Sequence, residues 1–404
     1  MMWTEAQEIP VRQETEVLVA GGGIAGVAAA LAARREGARV LLLEKSVLLG
    51  GLATNGLINW YEPLCDGKGE QMIFGLAEEL LRLSIRYGDH TLPEIWRDRT
   101  VPPDKTKVSP LKQDHIGGRY GTYFVPTLFQ LLLDELLLKE GVELRLDILA
   151  ARPHMDGERC AGVICECKSG RELLPAKVVI DATGDADLFY RAGAPCDQGQ
   201  NYLSYVAHLW NTPNPTHTMK HRRWIACGSD LHGNGHPDNY PTISGLDNEE
   251  ITRFVLDGRR MLLDRLRETE CQIKDLALPS MAQLRTTRHI RGTSIMSEVD
   301  QGKERSDSIG LIGDFERPSQ WYEIPWGTLY CNGFPNLLAA GRMISAQGWA
   351  WEVTRVIPAC AVTGQAAGVA AAMMARRGVS AQSLDVKVLQ EGLRSQGVRL
   401  HHYP

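Results

Sequence analysis

No C-x-x-C pair occurs among the nine cysteines of this chain. That absence removes iron–sulfur, zinc and thioredoxin-like chemistry, all of which need thiols at short fixed spacing. The cysteines are scattered and odd in number, which suits a reduced cytoplasm. Cys165 and Cys167 fall on one face of an expected strand and read as core packing. Strong charge of either sign is missing too. The net charge is −5, and basic clusters such as His221-Arg222-Arg223 are short. Nucleic acid and anionic membrane surfaces are therefore not expected partners. No run of about 18 uncharged apolar residues is read from the chain, so no membrane-spanning helix is expected. The polar, acidic start of the chain has no apolar segment ahead of the first strand, so a secretory leader is not expected. Repeats and low-complexity tracts are also absent. At 404 residues and 44% hydrophobic content, the chain exceeds one ordinary core and predicts two domains.

What is present concentrates in residues 16–44. A short apolar run, 17–20, enters Gly21-x-Gly23-x-x-Gly26, and an Ala-rich helix follows, ending near Gly37. A second apolar run, 40–43, ends in Glu44. Gly21 permits the tight turn, Gly23 lets backbone approach a pyrophosphate, and Gly26 lets helix pack on strand. The helix start, with Ile24 and Ala25, offers N–H groups to phosphates. Glu44 is placed to accept both hydroxyls of an adenosine ribose. Strand, glycines, helix, strand and acid in register predict a dinucleotide site. After Glu44 and Lys45 the chain runs into Gly50-Gly51-Leu52-Ala53-Thr54 instead of a helix. Such a loop suits a cofactor extending past the pyrophosphate, as FAD does, or is a simple turn.

This segment resembles the FAD-dependent oxidoreductases of the fumarate reductase and glutathione reductase superfamily. Three more blocks carry the resemblance. One is the strand 178–181 with Ala182-Thr183-Gly184-Asp185. The second is an Arg-rich run, 284–292. The third is 336–345 with Gly341 and Arg342, leading to Thr354-Arg355 and then Pro358, Cys360 and Gly364. The resemblance implies an α/β fold: a Rossmann-like FAD-binding domain with a three-stranded β meander, plus an inserted α+β substrate domain. It implies a discontinuous FAD domain at 1–195 and 325–404, an excursion at 66–121 expected to join the substrate side, and a substrate domain at 196–324. Ile148 would lie beside the adenine.

Periodicity adds helices at about 69–83, 124–140 and 248–269, and strands at 142–148, 160–167, 171–175 and 202–210. Gly141 reads as a helix cap. Residues 88–121 lack periodicity and read as an excursion over the surface or towards the substrate site. A second GxGxxG is missing, which argues against a built-in nicotinamide domain.

Flavin supplies electron chemistry; the chain supplies position, polarity and protons. The loop 50–56, the start of the last helix and the Arg-bearing segments are expected to face the ring. Arg288, Arg355 and His289 are the catalytic candidates, since arginine forks suit a carboxylate or flavin carbonyls. His208, Tyr322 and Glu323 are further proton-transfer candidates, each with a structural alternative. Related sequences often carry a His-Glu pair where this chain has Gln347-Gly348-Trp349-Ala350-Trp351-Glu352. The two tryptophans form either a substrate wall or core. No metal is expected, although His232 and His236 on a Gly-rich loop with Asp230 remain a conceivable ligand pair. Cys65 is a reactive thiol, a covalent flavin link or a buried small hydrophobe.

The expected function is hydride transfer between a small organic substrate and flavin N5 of non-covalently held FAD. Reoxidation would fall to oxygen, a quinone or a partner protein. A redox-neutral isomerisation or elimination, and a non-catalytic FAD-binding subunit, stay open. Substrate, electron acceptor and oligomeric state are not legible, and a homo-oligomer is left open.

Overall fold

The computed structural model describes residues 7–67, 70–87, 121–210, 222–268 and 275–402. His221, Cys271 and nearly all of the expected excursion at 88–121 lie outside them.

The first strand, β1 (Thr15–Ala20), buries Val17, Leu18, Val19 and Ala20 completely. A strand apolar on both faces belongs inside a covered parallel sheet. It pairs in parallel with β2 (Val40–Glu44) on one side and with Gly170–Asp181 on the other. The strand Glu143–Leu146 extends the sheet beyond β2, and Leu337–Ala339 adds a further parallel partner to Gly170–Asp181. The helix α1 (Ile24–Arg35) crosses between β1 and β2. It is buried on every side from Ile24 to Ala33, because alanines and glycine leave no bulk to keep helix and sheet apart. The mixed α/β architecture with a parallel-dominated central sheet is the expected one.

The meander is built differently from its prediction. Residues 142–148 do not form one strand, because Asp147 adopts a left-handed φ of 56° and breaks the run after Leu146. Ile148–Asp156 is a separate strand, absent from the sequence reading, and it pairs antiparallel with Arg159–Cys167. The two expected strands at 171–175 and 178–181 are one strand of 12 residues. Its first half, Gly170 to Pro175, pairs antiparallel in the meander, and its second half, Ala176 to Asp181, pairs in parallel with β1.

A three-stranded antiparallel sheet (Ser204–Trp210, Arg222–Gly228, Asp275–Ala277) and the helix Asn248–Glu268 carry two small apolar clusters of their own. The hairpin Ser308–Gly313 with Trp321–Pro325 packs into the large core instead, through Ile309, Leu311, Ile312 and Ile324. The helix expected at 69–83 is shorter, Leu76–Ser84; Met72 and Ile73 are buried in the loop before it. The helix Pro126–Lys139 ends at Gly141, whose φ is 78°.

Among the described residues, one helix is long and apolar enough to cross a membrane: Ile357–Arg377, mean hydropathy 1.4 over its 18-residue window. The sequence reading passed over this uncharged run because Thr363, Gln365 and two glycines interrupt its apolar residues. In the fold, 89% of that window is buried. Gly364 and Gly368 bring it against α1: a Cβ at either would stand 2.2 Å from the carbonyl oxygen of Ala25 or Ala29.

Candidate cofactor and substrate site

The carboxyl ends of four parallel strands open on one cleft of about 400 Å³. Gly21 follows β1, Glu44 ends β2, Ala182 follows Gly170–Asp181, and Ala340 follows Leu337–Ala339; all four line it. This is the usual place for a ligand in an open α/β sheet.

The fingerprint glycines have three different physical reasons. Gly21 needs its φ of 111°, and a Cβ there would strike the Ala182 carbonyl oxygen at 2.3 Å. Gly26 lies off the cleft lining; its Cβ would sit 1.8 Å from the Gly21 oxygen, so it serves helix packing. Gly23 has an ordinary φ of −66°, and a Cβ there would meet nothing within 4 Å. Backbone strain does not demand glycine at 23; the open space beside it is what a ligand would use. Glu44 is fixed by two backbone donors, Gly22 N at 2.7 Å and Ser46 N at 2.9 Å, one to each carboxylate oxygen. Each oxygen keeps accepting capacity for a diol.

The next wall comes from Gly50 to Ala53, a short 3-10 turn entered through φ of 96° at Gly50 and 56° at Gly51. Gly50 N donates to the Gly22 oxygen at 2.8 Å, which docks this loop onto the fingerprint. Lys45, Gly50, Gly51, Leu52, Ala53 and Ile148 line the cleft; Thr54 does not, because its hydroxyl bonds back to the Leu49 carbonyl. The turn Ala182-Thr183-Gly184-Asp185 lines it and is clamped by a neighbouring lining residue. Arg342 donates to the Gly184 oxygen at 2.7 Å, to Asp185 at 2.6 Å and to the Leu284 oxygen at 2.6 Å. Gly341 and Arg342 line the same wall.

The remaining wall joins the closing helix, Ile357–Arg377, to the small-sheet side: Arg355, Ile357, Cys360, Ser280, Met281 and Asn55. Pro358 and Gly364 are buried behind it and do not line the cleft. Pro358 sits in the first turn of the helix and Gly364 packs on Ala25, so both position the helix start. Asn55 Oδ1 is buried with no hydrogen-bond partner among the described residues. An orphaned polar atom beside a cleft costs about 1–3 kcal/mol, which a bound donor group offsets. With the open space at Gly23, it makes these residues fit a bound dinucleotide.

Of the three catalytic candidates, only Arg355 lines the cleft, with its guanidinium paired to Glu352. Arg288 lies away from the lining, 3.9 Å over the Tyr190 ring and 4.0 Å from Asp187. His289 is buried, donates from Nδ1 to the Ile290 oxygen at 2.9 Å and abuts Trp351; burial holds its pKa below the ordinary imidazole value. Both sit on the buried strand Arg288–Ile290, where periodicity in sequence does not select the cleft side.

The other candidates have structural partners, except Tyr322, whose buried hydroxyl has no hydrogen-bond partner among the described residues. His208 bonds the Leu57 oxygen, Tyr322 is fully buried, and Glu323 accepts from Arg305 N and His402 N. His236 is held by Leu203 N and the Tyr240 oxygen, and His232 by Glu316, so their rings serve the loop that Asp230 organises. Cys65 is buried and off the cleft. Trp351 is core, donating to the Arg342 oxygen at 2.5 Å; Trp349 is partly buried, donates to Asp314 and lies under Arg317. Both belong to a short helix, Gly348–Thr354.

The sequence reading missed Asn55, Ser280 and Met281, and quoted Cys360 only as part of a block. Burial pushes the Cys360 thiol up to about 12, so it contributes a compact apolar surface. Loss of solvent pushes the Glu62 carboxyl up to about 7, while the Trp60 indole donor and the Arg355 charge pull it down.

A family model described as FAD dependent oxidoreductase matches residues 16–242 and 216–393. No curated protein matches the chain. The chain is similar to several solved structures. The THI4 protein of Thermovibrio ammonificans is 18% identical, with TM-score 0.29, over 44% of this chain and 61% of that one. A geranylgeranyl bacteriochlorophyll reductase-like protein of Thermoplasma acidophilum is 15% identical, with TM-score 0.46, over 95% and 83%. The p-nitrophenol 4-monooxygenase PnpA of Pseudomonas putida DLL-E4 is 14% identical, with TM-score 0.46, over 95% and 85%.

Proposed function

Because the chain belongs to the FAD dependent oxidoreductase family, we propose that this FAD enzyme transfers a hydride between a small organic substrate and flavin N5, and that oxygen, a quinone or a partner protein restores the oxidised cofactor. Bound FAD supplies the two-electron chemistry. Gly21 to Ala25 and Glu44 would hold the pyrophosphate and ribose, with Ile148 beside the adenine. The turn 182–185, pinned by Arg342, and the loop 50–53 would fix the rest of the cofactor. The segment 196–324, together with the excursion at 66–121, is assigned to the substrate side.

The observation that carries this reading is the wall where Arg355, Cys360, Ser280 and Met281 meet. There the helix Ile357–Arg377 and residues 280–281 share one edge of the cofactor cleft, where a substrate would reach the flavin ring. The test is anaerobic mixing of the FAD-loaded enzyme with representative metabolite classes while flavin absorbance is followed. Bleaching by one class, reversed by oxygen or a quinone, is the expected result. Product formation without bleaching would replace hydride transfer by a redox-neutral reaction.

A further inference from the structure

The strand Ile148–Asp156 and the short helix Asp187–Arg191 meet at the cleft. Arg191 joins them by donating to the Ala151 oxygen at 2.9 Å. One turn earlier on that helix, Asp187 lines the cleft, as Ile148, Leu149 and Ala150 do on the strand. Val47 lines it too, three residues after the Glu44 that ends β2. Leu149 is 44% exposed and Val47 is 61% exposed, so apolar side chains stand open in the cleft wall. A flat ring laid on them would take that surface out of water.

Asp187 is the polar group beside this apolar wall. Its side chain is 27% exposed, and its carboxylate accepts no hydrogen bond among the described residues. Two guanidiniums stand near it but beyond hydrogen-bond reach, Arg191 at 3.7 Å and Arg288 at 4.0 Å. Arg288 is buried, is held 3.9 Å over the Tyr190 ring, and leaves Nε and Nη1 without a partner among the described residues. Both arginines thus bring charge to Asp187 without occupying its lone pairs. Asp185, two residues earlier on the same wall, differs: Thr287 and Arg342 both donate to it. Of these two carboxylates, Asp187 is the one open to an N–H donor from a ligand.

We propose that Asp187 reads the adenine of FAD, accepting from its 6-amino group while Val47 and Leu149 cover the ring. It rests on the placement of the adenine beside Ile148 given above. Glu44 holds the ribose that carries the adenine, and Val47 follows Glu44 closely in the chain. Adenine suits this edge because its one exocyclic donor adjoins an otherwise apolar ring. A base with a carbonyl oxygen in that position would set acceptor against acceptor. Asp187 is then a specificity residue for the cofactor, with no part in electron transfer.

Two ligands are compared on the full chain stripped of flavin: FAD, and an analogue with hydrogen in place of the adenine 6-amino group. Dissociation constants are read from the flavin difference spectrum, without turnover. Wild type should bind FAD about tenfold to a hundredfold more tightly than the analogue, the range for a hydrogen bond to a charged group. Asp187→Ala should bind the two equally; each protein is compared with itself, so a general weakening of the cleft cancels. Leu149→Asp, at an exposed position, should weaken both ligands and so reports where the adenine lies. Equal binding of the two ligands by wild type, or an undiminished preference in Asp187→Ala, overturns the proposal. Where Leu149→Asp still weakens binding in that case, the adenine placement stands and the role of Asp187 alone falls. A Leu149→Asp protein that binds FAD as tightly as wild type removes the placement and the proposal with it.

Discussion

Glycines 23 and 26 look equivalent in the motif but do opposite work. Gly23 has a φ open to any residue and empty space where a side chain would go. Gly26 has none, since its Cβ would collide with backbone. Gly23→Val should therefore leave the apoprotein folded, with near-native circular dichroism, and abolish the flavin spectrum. Gly26→Val should instead lower stability by about 1–3 kcal/mol or more through overpacking. Thermal melts of the two apoproteins separate these outcomes, and equal loss of stability would refute the division. Glu44 is the matching case among acids: its motif position was legible, but its fixing by Gly22 N and Ser46 N was not. Backbone donors leave no trace in residue identity.

At the scale of elements, long apolar or small-residue runs announced themselves, and short irregular ones did not. β1, α1, β2 and the helix Asn248–Glu268 fall close to their predicted bounds because burial there is continuous or sharply periodic. Ile148–Asp156 escaped because one left-handed residue, Asp147, splits two strands with no glycine or proline to mark the break. Arg288 and His289 lie off the cleft lining for a related reason: arginines spaced three apart, at 285, 288 and 291, cannot say which face of a three-residue strand meets a cleft. The closing helix carries the clearest element-level expectation. Gly364→Ala would force its start away from Ala25, costing about 1–3 kcal/mol. Because Ile357 and Cys360 ride on that start, the FAD dissociation constant should rise together with the fall in melting temperature. A stability loss with unchanged FAD affinity would show the helix start to be uncoupled from the cleft.

For the whole molecule, the cofactor cleft was legible as separate blocks but the aromatic cluster of Trp60, Tyr123 and Trp224 was not. Motifs report on the backbone that holds a shared cofactor. Trp60, Tyr123 and Trp224 meet only after folding, from segments with no common pattern. The cleft itself is walled by residues from Gly21 to Cys360, so FAD should act as a cross-brace. Removing FAD should lower the melting temperature. Restoring it at about a hundred times its dissociation constant should return about 2.7 kcal/mol. Identical melts of apo and FAD-loaded protein would contradict this.

The packing of Gly364 and Gly368 onto Ala25 and Ala29 has a consequence for biosynthesis. The ribosome makes the helix Ile357–Arg377 long after the fingerprint that it covers. Until residues past Gly368 have emerged, the nascent chain holds β1 and α1 with one flank bare, and flavin capture must wait for that helix. Products of termination ahead of it should therefore be colourless as well as unstable, so bound flavin marks a chain that has passed Gly368.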